Sequence, residues 1–347
     1  MYENLIDIVC RKMTNIQNDG SIVENKISDI DIDKWEWPQG VGLYGMYLNY
    51  KRCQNQDIIK WIINWFDNNI SRGIPERNIN TTAPMLTLAY VAEETGNEKY
   101  MAMCMDWLKW VMEELPRTEN DGFQHIATGR ENKNQLWDDS LFMTVLFVAK
   151  MAQILKDEKL KEEVEYQFLL HVRYLFDTST GLWYHGWTFE GNHNFAKALW
   201  ARGNCWITAA IPLVVEILPE MSNTVKKYLI NVLECQIKAL CKYQAESGMW
   251  HTIIDDPDSY EETSATAGFA FGILKAVHMG IIDRSYEKYG RKAIDAVISA
   301  IEEDGSVTGV SIGTPIGETV EFYKQIKQYT MAYGQALTLL ALNEAEE

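Results

Sequence analysis

Residues 134–151 read NQLWDDSLFMTVLFVAKM: two adjacent aspartates, Asp138 and Asp139, stand at the head of a long, mostly apolar run. A helix that is apolar all round has to be buried all round, so the run predicts an interior helix over 139–156. The same signature recurs over 39–53, 82–95, 203–218, 264–279 and 330–344, in stretches rich in small residues: GVGLYG at 40–45, SATAGFAFG at 264–272 and MAYGQA at 331–336. Between them lie segments of the opposite kind, amphipathic and charged on one side, over 2–16, 55–73, 97–115, 158–177, 222–246 and 284–303. In NQDIIKWIINWFDNN (55–69), for example, Ile58, Ile59, Ile62, Ile63 and Phe66 share one helical face. Strand-type alternation is confined to short pieces near GLWYHGW (181–187) and GMWHTII (248–254).

Regular alternation of buried and amphipathic helices predicts an all-α fold: six helical hairpins closed into a ring, an (α/α)6 barrel or six-hairpin toroid, with the apolar helices inside. Segments entering the inner helices are usually long (17–37, 116–137, 178–201, 247–262, 304–329), and those leaving them are short. All the long loops should therefore gather at one end, over the N-termini of the inner helices. No Pro- or Ser-rich linker interrupts the chain, and residues 1–347 read as a single domain.

Composition narrows the function. The formal net charge is −17, and no basic patch exists to neutralise phosphates, which excludes nucleic acid as a partner. No uninterrupted apolar stretch is long enough to span a membrane. The six cysteines are scattered with no CxxC, and MYENLIDIVCRKM at the N-terminus lacks the build of a signal peptide. Reduced thiols and a cytoplasmic location are the expectation. HExxH, paired Cys/His, EF-hand, P-loop and GxGxxG patterns are absent, so neither metal nor cofactor is expected.

Of 12 tryptophans, Trp61, Trp65, Trp107 and Trp110 fall on outer helices. Trp35, Trp37, Trp137, Trp183, Trp187, Trp200, Trp206 and Trp250 fall in or beside the long loops. Flat apolar rings suit the C–H faces of sugars, although a tryptophan in such a loop can equally plug the end of a barrel. Polar residues collect at the same level: WEWPQGVGLYG (35–45), Asp138 and Asp139, YHGW (184–187), WARGNCW (200–206) and ETSATAG (262–268).

In combination, LWDDSLFM (136–143), GLWYHGW, WARGNCW, DPDSYEETSATAGFA (256–270) and VSIGT (310–314) resemble the motifs of the unsaturated glucuronyl and rhamnogalacturonyl hydrolases, glycoside hydrolase families 88 and 105. The likeness is closer to family 105 and runs from about Trp35 to Ala341. The resemblance implies a six-hairpin α/α barrel. It also implies hydration of the 4,5-unsaturated uronic acid that polysaccharide lyases leave at a non-reducing end: an aspartate protonates C4, water adds at C5, and the hemiketal opens to release the aglycone. A rhamnogalacturonan-type disaccharide is the expected substrate. The usual two-carboxylate geometry is not required; one carboxylic acid of raised pKa is enough.

Counting back from LFM, the family aspartate falls on Asp139, the expected general acid/base, with Asp138 as helix cap or orienting neighbour. Each carboxylate should raise the pKa of the other. Arg202 is the expected ligand of the uronate carboxylate, through two parallel hydrogen bonds, or else the ion-pair partner of a core acid such as Asp138. His185 is expected to bind sugar or attacking water, with His125 and His251 as weaker candidates. Trp137, Trp200 and Trp206 are expected at the sugar faces, and Asn204, Gln39 and Tyr44 as hydroxyl ligands. Many family members carry a second aspartate near the second inner helix; here RNINTTAPM (77–85) places Asn80 there. Asn80 can orient a hydroxyl but supplies no acid. A sugar isomerase, a conventional inverting glycosidase and a non-catalytic glycan-binding toroid remain the alternatives. A monomer and a homodimer are both compatible with the sequence.

Overall fold

The computed structural model describes residues 1–17 and 31–347, so most of the first long loop, expected over 17–37, lies outside the described residues. Inner helices are α2 (Trp37–Cys53), α4 (Ile79–Thr95), α6 (Leu146–Leu155, entered through a π-helical turn at Leu141–Val145), α8 (Ala201–Ile217), α10 (Thr263–His278) and α13 (Ala332–Glu346). Each packs on the next, and α13 packs back on α2, which closes the ring. The outer layer is α1 (Glu3–Met13), α3 (Gln56–Arg72), α5 (Glu98–Glu113), α7 (Glu158–Leu175), α9 (Asn223–Tyr243) and α11 (Glu287–Ile298). From α3 to α11 each outer helix lies on the inner helix before it, and α1 lies on α13. The molecule is an (α/α)6 barrel.

Local chemistry explains the tight inner-to-outer turns. Helix α2 ends on Gln54 at φ 56, and Asn55 at once caps α3 by accepting from the Asp57 N–H. Gly96 and Asn97 repeat this between α4 and α5, and Lys156 and Asp157 between α6 and α7. A left-handed residue stops one helix and a side-chain oxygen starts the next. Helices are thereby forced antiparallel at one end, and the long connections are left at the other.

Backbones of the inner ring approach closely where side chains are small. A Cβ on Gly272 of α10 would lie 2.2 Å from the Thr208 carbonyl oxygen of α8. The loop end carries small antiparallel strand pairs: β1 (Gln135–Trp137) with β4 (Gly186–Thr188), β2 (Phe176–Asp177) with β3 (Leu182–Trp183), and β5 (Val310–Ser311) with β6 (Gln328–Tyr329). The short helix α12 (Val320–Lys324) sits in the last long loop. Strand character near GLWYHGW is present as β3 and β4; GMWHTII forms only isolated bridges, such as His251 with Glu261. All six cysteines are free thiols. Among the described residues no helix is long and apolar enough to cross a membrane.

Candidate active site

The N-termini of the inner helices and the loops above them line a cleft walled by Trp37, Trp137, Trp200 and Trp206. Two of the long loops are tied together at its wall. Strand β1, which leads into Asp138, pairs with β4, which follows His185, and the Asp138 N–H donates to the His185 carbonyl (3.0 Å). The backbone thus places His185 beside the two aspartates.

Asp138 and Asp139 have opposite surroundings. Asp139 lines the cavity and keeps 19% of its side-chain exposure. Its Oδ1 stands 3.1 Å from His125 Nδ1, although that nitrogen is better aligned on Ser140 Oγ at 3.0 Å. Burial pushes the Asp139 carboxyl up, but the neighbouring histidines, His125 foremost, hold it below the ordinary aspartate range. Asp138 is fully buried and absent from the cavity wall, and neither carboxyl oxygen has an aligned hydrogen bond. Burial first, and then the charge of Asp139, push its carboxyl well above the usual range, against the pull of nearby backbone N–H groups and Arg202. Two sequence expectations are corrected here. Asp138 caps no helix, because its carboxyl group lies against α8, where a Cβ on Gly203 would meet it at 2.2 Å. The raised carboxyl is that of Asp138, not that of Asp139, because burial acts unopposed by any histidine on the former while His125 stands against the latter.

His185 also lines the cavity. Its Nδ1 lies 2.9 Å from Tyr323 Oη, which itself accepts from the Gly317 N–H (2.9 Å). Burial raises the Tyr323 phenol, so it keeps its proton, and burial lowers His185 to about 3, so the ring is neutral. The hydrogen-bond network therefore assigns the Tyr323 proton to the bond with Nδ1 and the ring proton to Nε2. Nε2–H is the donor left for a ligand. His125 lies flat on Trp137, with ring centroids 4.1 Å apart and planes 3° apart. Sequence reasoning rated His125 low, since a histidine in a loop carries no signal of what it will face. His171 was missed altogether. It projects from α7, with Nδ1 at 2.7 Å from the Gln167 oxygen and Nε2 at 3.1 Å from the Trp137 oxygen, and burial lowers it to about 4.

Arg202 is 1% exposed at the cavity wall, its guanidinium carbon 4.6 Å from the Trp200 ring centroid and 4.9 Å from that of Tyr333. Its Nη1 donates to the Ser311 carbonyl (2.9 Å) and hydroxyl; its Nη2 donates to the Ile312 carbonyl (3.1 Å) and Thr314 Oγ1 (3.0 Å). Glu262, which caps α10 and accepts from Ser264 Oγ and the Ser311 N–H, stands 3.7 Å away. The expected two-pronged grip on a carboxylate is therefore not available from the terminal nitrogens. They hold the 311–314 loop, and the core acid that faces Arg202 is Glu262.

Trp137, Trp200, Trp206 and Asn80 line the cavity, and so does Trp37. Other loop tryptophans do plug the barrel: Trp183 and Trp250 are fully buried, and Trp35 stacks on Trp65 and Trp107. Three expected hydroxyl ligands do not reach the cavity. Gln39 donates to the Asp31 carbonyl (2.7 Å), and Asn204 spans the Trp183 backbone N–H and carbonyl (both 2.8 Å). Tyr44 is buried against Tyr90. Glu36, unforeseen from sequence, is a second carboxylate in the lining; it accepts from the Trp37 N–H at the head of α2.

This chain matches the model of glycosyl hydrolase family 88 over residues 5–347. It is 33% identical over 313 residues to the unsaturated rhamnogalacturonyl hydrolase YesR of Bacillus subtilis, covering 89% of this chain and 88% of that protein. A solved structure described as a possible member of the GH105 family, from Salmonella enterica serovar Paratyphi A, superposes with a TM-score of 0.95 at 46% identity, covering 99% of this chain and 93% of that one. Unsaturated glucuronyl hydrolase from Bacillus sp. GL1 shares the fold at a TM-score of 0.75 and 16% identity, over 99% of this chain and 96% of its own. A match across almost the whole chain and a relative this similar over most of both lengths lead to one conclusion: the chain belongs to glycosyl hydrolase family 88.

Proposed function

We propose that the protein hydrates the C4=C5 bond of a 4,5-unsaturated uronic acid at the non-reducing end of lyase-generated oligosaccharides, with a rhamnogalacturonan disaccharide as the expected substrate. The observation that carries this reading is the placement of Asp139, a carboxyl group open to an aromatic-walled cavity and ringed by histidines. Asp139 gives its proton to C4, water adds at C5, and the proton lost by that water returns to Asp139. The hemiketal so formed opens to the 5-keto sugar and frees the aglycone.

His125, 3.1 Å from its Oδ1, is the foremost group holding the Asp139 carboxyl below the ordinary aspartate range. A uronate carboxylate brought into the cavity adds negative charge and raises the Asp139 pKa, so binding recruits the proton that the reaction needs. Arg202 contributes a fixed positive charge to the wall rather than a clamp. Trp137, Trp200 and Trp206 offer ring faces to the sugar, His185 Nε2–H offers a donor, and Asn80 offers an amide.

Glu36 favours one rival, a conventional glycosidase using two carboxylates. A single experiment separates the two. The conjugated double bond absorbs in the ultraviolet, and hydration removes that absorbance. We expect decay with lyase-digested rhamnogalacturonan, a loss of roughly 10³-fold in Asp139→Asn with the fold intact, and continued turnover in Glu36→Gln. Release of the aglycone with the absorbance retained, abolished by Glu36→Gln, would establish the rival.

A further inference from the structure

The cavity wall contains two guanidinium groups, and they are in opposite states. Arg202 is buried, its terminal nitrogens are bonded within the protein, and Glu262 stands 3.7 Å away. Arg130 is exposed, lines the same cavity, and has no side-chain hydrogen bond or ion pair among the described residues. An exposed arginine in a cavity wall has five donors and a full charge to give to a planar or tetrahedral oxyanion.

Its position along the wall indicates which part of a ligand it meets. Arg130 lies at the tip of a hairpin, where it bridges to Ala127 through paired backbone hydrogen bonds (2.9 and 2.8 Å). His125, at the base of that hairpin, touches Asp139. Ala127, the residue paired with Arg130, follows His125 by two positions, so Arg130 lies farther along the wall from Asp139 than His125 does. With the reacting ring at Asp139, Arg130 stands beside the next ring out. Asn132, across the hairpin, ties this wall down by donating to the His125 carbonyl (2.8 Å).

We propose that Arg130 binds an oxyanion carried by the second sugar, a sulfate ester or a carboxylate, so that oligosaccharides bearing one are preferred over the neutral rhamnose of a rhamnogalacturonan disaccharide, which is still turned over at a lower rate. This rests on the hydration reading above. Among the described residues, Glu36 is an opposing charge on this rim. It is linked to the hairpin through Thr128 Oγ1 at 3.5 Å but forms no pair with Arg130. In a chain of net charge −17, an anionic substituent is repelled at long range, so a local cation is what makes it acceptable, and salt weakens both effects over about 8 Å.

The test compares three substrates sharing an unsaturated uronyl end: a neutral second sugar, the same sugar sulfated, and a uronate in its place. At low ionic strength the wild type should show kcat/KM roughly fivefold higher for one of the charged substrates than for the neutral one. That ratio should shrink with added salt and fall to about one in Arg130→Gln, while Arg130→Lys keeps part of it. Whichever charged substrate shows the preference identifies the oxyanion. No preference in the wild type, or an equal loss on all three substrates in Arg130→Gln, would overturn the assignment, the latter placing Arg130 on the reacting uronate. If the wild type leaves the double bond of all three intact, the hydration reading fails, and this one with it.

Discussion

Replacing Tyr323 by phenylalanine removes only a hydroxyl, yet that hydroxyl decides which nitrogen of His185 carries the proton. Without it, Nδ1–H becomes available and Nε2 can turn acceptor toward the sugar. We predict a loss of roughly fivefold in kcat/KM for Tyr323→Phe, the worth of about one hydrogen bond, and an undiminished kcat/KM would show that this hydroxyl does not set the His185 tautomer. Asp138 makes a second residue-scale prediction. Because its folded pKa is raised, the folded protein holds a proton there that the unfolded chain loses above the ordinary aspartate value. Its contribution is fully present below that value and is lost as pH rises toward the folded pKa. Asp138→Asn abolishes this dependence. Its melting temperature should gain on the wild type as pH increases from 4 to 8, and a gap that narrows instead would show Asp138 to be a stabilising carboxylate. The sequence placed Asp139 and His185 at the right level, because motif and helix-start signals are local. It misjudged the carboxyl pKa values, since those depend on burial and on His125 and Arg202, which arrive from other loops and helices.

At the scale of elements, the helices were legible from periodicity and their ends from residue type. Asn55, Asn97 and Asp157 cap the helices they precede. One element departed from expectation. The interior helix expected over 139–156 starts as a π-helical turn, Leu141–Val145, with the Leu146 N–H donating to the Leu141 carbonyl. Apolar patterning cannot distinguish this from a regular first turn, and the wider turn lies directly behind Asp139, where such irregularities commonly accompany a site. Pro84 and Pro212 sit inside α4 and α8 rather than at their starts, a further case of packing overruling local preference. Small residues of the inner helices were read as close packing, and Gly272 tests this directly. A methyl group there would collide with the Thr208 backbone of α8, which cannot rotate away. We predict that Gly272→Ala costs about 1–3 kcal/mol in denaturant unfolding; a neutral substitution would show that α8 and α10 separate freely.

For the whole molecule, alternation of buried and amphipathic helices was sufficient to foresee a closed ring, since helices apolar on all sides can be covered only by one another and by an outer layer. The concentration of function at one end follows from that closure. Short capped turns occupy the far end, and every long loop, with its tryptophans, lies over the helix N-termini. What periodicity could not supply was the division of labour among those loops. Four loop tryptophans face the cavity and others fill the barrel, a distinction set by where each loop docks.

The chemistry assigned to this cavity is tested most directly by running the reaction in deuterium oxide and following the earliest product by mass spectrometry and NMR. If Asp139 protonates C4, the double bond disappears and one deuterium appears at C4 of the 4-deoxy-5-keto product, at a rate that falls with Asp139→Asn. An unsaturated uronic acid released with its C4=C5 bond intact and no deuterium at C4 would contradict hydration and return the site to ordinary glycoside cleavage.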